Sequence, residues 1–372
     1  MSTVRQHSGT RALAACGAIW LAGIWTAAAE TASVPLFPIV QGGKWGYMDA
    51  AGKVAIKPQY DCAWDFSEGL ACVQVGLQRG YIDAANAMVI KPQYALARPF
   101  SEGKAAVYLD APKWGDFLFF NRGAGCWGYI DRTGKVVVSP QQPSTVAAEE
   151  FHGGVARIVF RNPHNLHHSK PAPMLADGTR LPGFDIAYVG QFSEGVVAVQ
   201  RDKQKCGYLD AKWKVVIEPA FDAAGDFSQG LACVKKGTKW SYIDKEGKPA
   251  FAGEYDDAGP FAEDLAAVAV ASELAPEKPG AKPKQIFKWG CIDKSGKMVI
   301  EPKYDFIAPF SSGLARVVAG GKHGYIDKSG KVVVAPKYDC GWEFSRGLAR
   351  VMSGTREGYI DRAGAEVWPP QE

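Results

Sequence analysis

The stretch FSEGL, Phe66–Leu70, decides the reading of this chain because it is written more than once. Near-copies stand at 192–196 (FSEGV), 227–231 (FSQGL), 310–314 (FSSGL) and 344–348 (FSRGL). A catalytic motif is normally present once, so recurrence points to architecture. Internal periodicity is sought before any other feature. A second recurring tetrad, GYID or a variant, begins at Gly46, Gly80, Gly128, Gly207, Ser241, Gly290, Gly324 and Gly358. The phenylalanine of the first motif falls at Phe66, Phe100, Phe151, Phe192, Phe227, Phe261, Phe310 and Phe344. Tetrad to phenylalanine is usually 20 residues, and phenylalanine to the next tetrad is 14 where nothing is inserted, so the period is 34.

A 34-residue period is also that of helical tetratricopeptide units. Each unit here carries several glycines, a proline and β-branched runs such as KVVV, which a helix pair could not hold at those places. The unit instead reads as three short antiparallel strands. Leu314–Val318 is a first strand with alternating faces, GYI a second, and Lys331–Pro336 a third. Asp-x-x-Gly joins the second to the third, as in Asp49–Gly52, Asp131–Gly134 and Asp327–Gly330. Asp opens a type I turn and Gly accepts the left-handed residue that completes it. Asn86 can take that place, whereas Trp213 fits it badly and predicts an altered turn. Prolines such as Pro58, Pro92, Pro302 and Pro336 end the third strand. About twelve residues of the form YDxxxxFSEG then cross to the next unit, their phenylalanine plugging the space between units.

Eight units are clear, and a degraded ninth lies within 141–195. A three-stranded meander of this length cannot bury a core alone, so units must stack. The expectation is an all-β fold of tandem ~34-residue, three-stranded repeats. An open superhelical array is favoured, because the chain starts on a first strand, ends on a third and has no spare strand to close a ring. A closed, propeller-like ring is the alternative.

The motifs are similar to those of the WG-repeat, or KWG-repeat, family. Lys44-Trp45-Gly46 and Lys288-Trp289-Gly290 carry the family's letters before the tetrad. Cys126-Trp127-Gly128, Lys322-His323-Gly324 and Lys205-Cys206-Gly207 are variants. The resemblance spans about residues 36–369. It implies a β-rich repeat module of bacterial proteins, generally without an assigned activity.

The N-terminus reads as an export signal. Arg5 and Arg11 precede the apolar run 12–29, and Ala27-Ala28-Ala29 offers a cleavage site. The expected organisation is a signal peptide at 1–29 and one repeat domain at 30–372, exported to the periplasm or beyond. The full chain of 372 residues has a formal net charge of +4. Cleavage leaves 41 basic against 39 acidic residues, a net +2 with no Lys/Arg block. Nucleic acid is therefore not expected as a partner, since phosphate binding needs clustered cations. No later segment is apolar enough to span a bilayer. Seven cysteines remain, an odd number at repeat-related places, which reads as small core residues rather than a disulfide framework.

Residues that recur are explained by the fold, so function is sought in what does not recur. Insertions at 109–125 and 271–287 occupy one equivalent site, between first and second strands. The former carries Trp114, Phe117, Phe119 and Phe120, candidate binding residues on a partner-binding arm. His164, His167 and His168 are candidate metal ligands, although His-x-x-His-His in a polar loop has no recognised metal spacing. No cofactor is expected. No nucleophile elbow, P-loop, zinc-protease helix or calcium loop occurs. The expected function is a non-enzymatic scaffold that binds a macromolecule, a protein first and an envelope glycan or peptidoglycan second. A hydrolase with an unrecognised carboxylate site comes third.

Overall fold

The computed structural model describes residues 35–109, 126–139, 145–162, 165–179, 186–201, 205–274 and 284–371. They fall within one compact unit, Val34–Glu372. The signal-peptide residues, Trp114, Phe117, Phe119, Phe120 and His164 lie outside the described residues.

The fold is all-β, as the periodicity predicts. Nine antiparallel sheets of three or four strands follow one another along the described chain, at 37–60, 62–94, 104–138, 145–175, 186–221, 223–243, 257–304, 306–338 and 340–371. The second sheet shows the full plan, with strands Cys62–Ser67, Leu70–Val75, Gln78–Asp83 and Met88–Tyr94 paired in sequence order. The crossing YDxxxxFSEG is therefore not merely a link. Its last residues add a fourth strand that the three-stranded reading did not include.

Burial grades across the sheet. Ala71, Cys72 and Val73 on the second strand are almost fully buried on both faces, while the fourth strand alternates and exposes Met88 and Val89. Successive sheets meet through their first strands. The first strand is thus the inner edge of each sheet and the fourth the outer edge.

The core is divided among the boundaries between sheets. Tyr47, Ile56 and Tyr60 of the first sheet pack on Phe66, Ala71, Val73 and Ile82 of the second. Leu70, Tyr81 and Ile90 of the second pack on Phe100, Ala105 and Val107 of the third. The recurring phenylalanine is the plug the sequence suggests. It stands edge-on to the tetrad tyrosine of the preceding sheet, with ring centroids 4.9 Å apart for Tyr47–Phe66 and 4.8 Å for Tyr81–Phe100. Aromatic pairs favour this edge-to-face arrangement.

Apolar packing also joins the last sheet to the first, with Phe37 rather than an FSEG phenylalanine against the tetrad tyrosine. Phe37, Ile39 and Met48 form one cluster with Leu348, Tyr359 and Trp368. The Phe37 and Tyr359 rings lie 5.8 Å apart, and Tyr359 Oη donates to Pro38 O at 2.8 Å. The tandem is therefore closed into a propeller-like ring rather than left open. The missing spare strand misled the expectation, because closure here is by packing of sheet faces and needs no strand exchange. The sheets do not merge into a barrel; each keeps its own inner and outer edge.

Two local details explain sequence letters. An added Cβ on Gly80 would sit 2.4 Å from Ile90 O of the outer strand, and Gly46, Gly290 and Gly324 are equally crowded. The glycine lets the outer strand cross against the third. In the sixth sheet Ser241 holds this place, and there the outer strand is reduced to the isolated bridges Trp240–Tyr255 and Ile243–Pro249. Trp213, by contrast, does not alter its turn. It adopts φ +62°, its N–H reaches Asp210 O at 2.9 Å, and Asp210 Oδ1 accepts the Lys212 and Lys214 N–H groups as in its counterparts. Packing against Val197, Val199 and Leu209 offsets the backbone strain.

Candidate binding face

The antiparallel order gives the ring two unlike faces. One carries the FSEG turns and the Asp-x-x-Gly turns. The other carries the hairpins between second and third strands and the crossings from each outer strand to the next inner strand.

The first face is occupied by bonds between neighbouring sheets. In FSEG, Glu68 and Gly69 both take left-handed backbone, φ +51° and +79°, which makes a two-residue hairpin of the primed type. Ser67 Oγ donates to Phe100 O at 2.6 Å, and Ser101, Ser193, Ser228 and Ser311 repeat the contact. The Glu68 carboxylate accepts the Gly103 N–H of the next turn at 2.9 Å. Glu102 accepts the Gly153 and Gly154 N–H groups, Glu194 accepts Gly230, and Glu263 accepts Gly313. Gln229 performs the same task through its amide oxygen toward Asp264 N at 2.8 Å. The repeated acid of the motif is therefore a tie between sheets. Further ties come from Arg132 to Glu68 O and Lys245 to Glu194 O.

The second face has ties near its inner rim. Asp61 binds Lys44 of the preceding sheet and the Gly76 N–H of its own hairpin. Asp222, Asp256, Asp305 and Asp339 do the same with Lys205, Lys239, Lys288 and Lys322. This explains the K of KWG and the D of YD. Between the second and third sheets both letters change, to Gln78 and Ala95. There Arg79 instead donates to Ala97 O at 3.2 Å and lies over the Trp64 ring at 4.3 Å. That junction presents exposed apolar side chains: Leu77, 89% exposed, and Val75 on the hairpin of the second sheet, and Leu96 on the crossing into the third. Phe287 is exposed on the hairpin strand of the seventh sheet.

Cation–aromatic pairs recur along the adjacent eighth, ninth, first, second and third sheets. Arg350 lies 5.7 Å from the Trp45 ring and 5.0 Å from that of Trp342. Arg316 faces Phe306 and Arg98 faces Trp127. Trp45, Trp64, Trp127, Trp240 and Trp289 are wholly or partly buried in packing, and Trp342 is the exposed tryptophan among the described residues.

The insertion 110–125 arises between strands Lys104–Leu109 and Cys126–Asp131, and residues 275–283 between Leu265–Leu274 and Lys284–Asp293. Both positions are hairpins of the second face. His167 and His168 fall on strand Asn165–Leu175, which also leaves a hairpin of that face; their side chains are outside the described residues. Among the described residues no three His, Cys, Asp or Glu side chains converge as a metal site. Asp226 carries no sequence signal, yet burial pushes its carboxyl above the usual range, with the Gln191 N–H donating to it at 2.9 Å. No helix among the described residues is long and apolar enough to cross a membrane.

These features define a class: a ring of short antiparallel sheets whose recurring side chains bind sheet to sheet. The family model for the WG containing repeat matches residues 45–76, 80–111, 127–162, 207–240, 240–270, 289–322 and 324–354, more than half of the chain. The chain belongs to the WG-repeat family. Each match begins near a tetrad and ends by the next hairpin, so the family's unit straddles two sheets. The degraded stretch beyond 162 is not matched. No curated protein sequence matches the chain. Among solved structures, a eukaryotic initiation factor is similar over 89% of this chain and 94% of its own, at 14% identity and TM-score 0.54. That likeness concerns the fold alone. AztD of Citrobacter koseri matches over 89% and 92% at 11% identity and TM-score 0.42. The WD40 β-propeller domain of Doa1 matches over 60% and 77% at 12% identity and TM-score 0.30.

Proposed function

We propose that this chain is an exported, non-enzymatic scaffold that binds a protein partner through its hairpin face. The observation that carries the reading is that both insertions leave one and the same face of the ring. Recurrent letters are consumed by ties between sheets, on the FSEG face and at the inner rim of the hairpin face, whereas both non-recurrent insertions arise from hairpins of the second face. Exposed Leu77, Val75, Leu96 and Phe287 on that side add apolar contact area of the kind that anchors protein partners. The burial of most tryptophans in packing weighs against stacking on sugar rings. The export reading rests on residues 5–29, and the non-enzymatic reading on the lack of any catalytic motif.

The test uses the secreted chain, variants lacking 110–125 or 272–286, and Leu77→Asp. A co-purifying protein lost from at least one variant, with circular dichroism and melting temperature kept, is the expected result. Retention of that protein by all three variants overturns the assignment of the face. Binding of the wild-type chain to purified cell wall, lost in Trp342→Ala, replaces the protein partner with a glycan.

A further inference from the structure

The boundary between the ninth and first sheets is built differently from the others. In the third, fifth, sixth, eighth and ninth sheets an inner-strand N–H donates to one fixed carbonyl of the second strand. The pairs are Arg98–Ala106, Gly190–Ala198, Gly225–Cys233, Ala308–Arg316 and Trp342–Arg350, at 2.8–3.0 Å. The same register position in the first sheet is Pro38, and that sheet has no inner strand among the described residues. Pro38 O accepts the Tyr359 hydroxyl instead. Elsewhere this tyrosine donates to an inner-strand carbonyl of the next sheet, as Tyr47 does to Trp64 O, Tyr208 to Gly225 O and Tyr325 to Trp342 O. Tyr359 thus reaches one strand further outward. Pro38 has no N–H, so the open edge presents no orphan donor at that position.

The donor to the phenylalanine carbonyl differs as well. Phe100, Phe151, Phe227, Phe261 and Phe344 each have their carbonyl bound by a serine of the preceding sheet. Phe66 O is instead reached by the Arg346 guanidinium, from the ninth sheet across the first. Arg346 stands where other turns carry Glu68, Glu102 or Glu194. Those carboxylates accept N–H groups; a carbonyl needs a donor, and arginine is one. Pro35 stands where Gly69 stands in the second sheet. Gly69 has φ +79°, a conformation the proline ring excludes.

We infer that Pro38, Tyr359 and Arg346 form a side-chain latch that closes the ring at the one sheet with no inner strand or bridged inner segment among the described residues, and that the ring opens first at this boundary. Beside the apolar cluster, two side-chain hydrogen bonds stand where an inner strand and its turn stand elsewhere. The repeat consensus is therefore the wrong guide at position 346, where the glutamate of the other turns would put an acceptor against a carbonyl.

Hydrogen–deuterium exchange on the full chain tests this, comparing wild type with Tyr359→Phe, Arg346→Glu and the control Tyr208→Phe. In wild type, peptides covering 36–48 and 356–371 should exchange faster than those covering 314–327. Tyr359→Phe and Arg346→Glu should each speed exchange at the seam by roughly three- to tenfold, the range of one lost hydrogen bond. Tyr208→Phe should leave the seam unchanged. If Arg346→Glu does not fold, Arg346→Gln, which keeps a donor, should show a smaller increase than Tyr359→Phe. Seam peptides as protected as the eighth sheet, or unchanged by both latch substitutions, overturn the inference.

Discussion

At the scale of single residues, the WG signature is explained by close approach. The glycine after the tryptophan position exists because a Cβ would meet the outer strand's carbonyl. Gly80→Ala should therefore destabilise the protein by about 1–3 kcal/mol, the usual range for overpacking, measured as a lowered melting temperature. Ser241→Gly should show no such loss, since the sixth sheet has already given up its outer ladder. Cys72, Cys126, Cys206, Cys233 and Cys291 follow the small-core reading, whereas Cys62 is half-buried and Cys340 exposed. Burial pushes the Cys72, Cys233 and Cys291 thiols up to about 12, and none forms a disulfide. A thiol reagent at pH 8 should modify exposed Cys340 in the native protein and spare those three, as read by peptide mass. Labelling of the buried three at the rate of Cys340 would contradict this packing. The poor fit of Trp213 to its turn was legible as a conflict of propensity, but its resolution was not. The cluster that offsets the strain comes from strands at 196–201 and 206–210, whose contact no local rule supplies.

At the scale of elements, the FSEG hairpin does three jobs in four residues. The phenylalanine fills a boundary, the serine binds the next sheet's backbone, and the glutamate accepts the next turn's N–H. Glu102→Ala should cost about 0.5–1.5 kcal/mol, the net worth of a lost hydrogen bond, because Gly153 and Gly154 lose their acceptor. Glu102→Gln should cost less, since Gln229 already performs this role in another turn. Parallel denaturant titrations of the two variants check the order. Three strands of each unit were readable from alternation and turn chemistry. The fourth was not, because inner strands as short as Ala223–Ala224 and Phe306–Ile307 carry no periodicity. They pair because the turn behind them has fixed their register.

At the scale of the whole molecule, closure and charge act together. Hydrogen bonds from Lys44, Lys205, Lys239 and Lys288 hold Asp61, Asp222, Asp256 and Asp305 below the usual carboxylate range. For Asp339 the Gly354 N–H is the larger cause, followed by Lys322. Asp131, Asp293 and Asp327 are held down first by the Thr133, Ser295 and Ser329 hydroxyls of their own turns. A carboxyl depressed in the folded state contributes stability above its unfolded value and loses it as pH falls through the folded value. The urea midpoint should therefore stay nearly flat from neutral pH to about 5 and fall below about 4. Salt should weaken this effect only modestly, because the bonds to backbone N–H groups remain. A midpoint that rises on acidification would contradict it.

The amino-acid sequence by itself determined the all-β class, the 34-residue period, the turn chemistry and the place of the insertions. These depend on alternation, on glycine and proline, and on spacing along one chain. Only the tertiary structure decided that the array closes, that the recurring side chains tie sheet to sheet on both faces, and that Pro38, Tyr359 and Arg346 serve a boundary their repeat positions do not serve elsewhere. Those outcomes turn on which sheet meets which across more than three hundred residues of chain, as in Pro38 with Tyr359. A repeat read unit by unit holds no term for that meeting, because nothing within one unit records which other unit it will pack against.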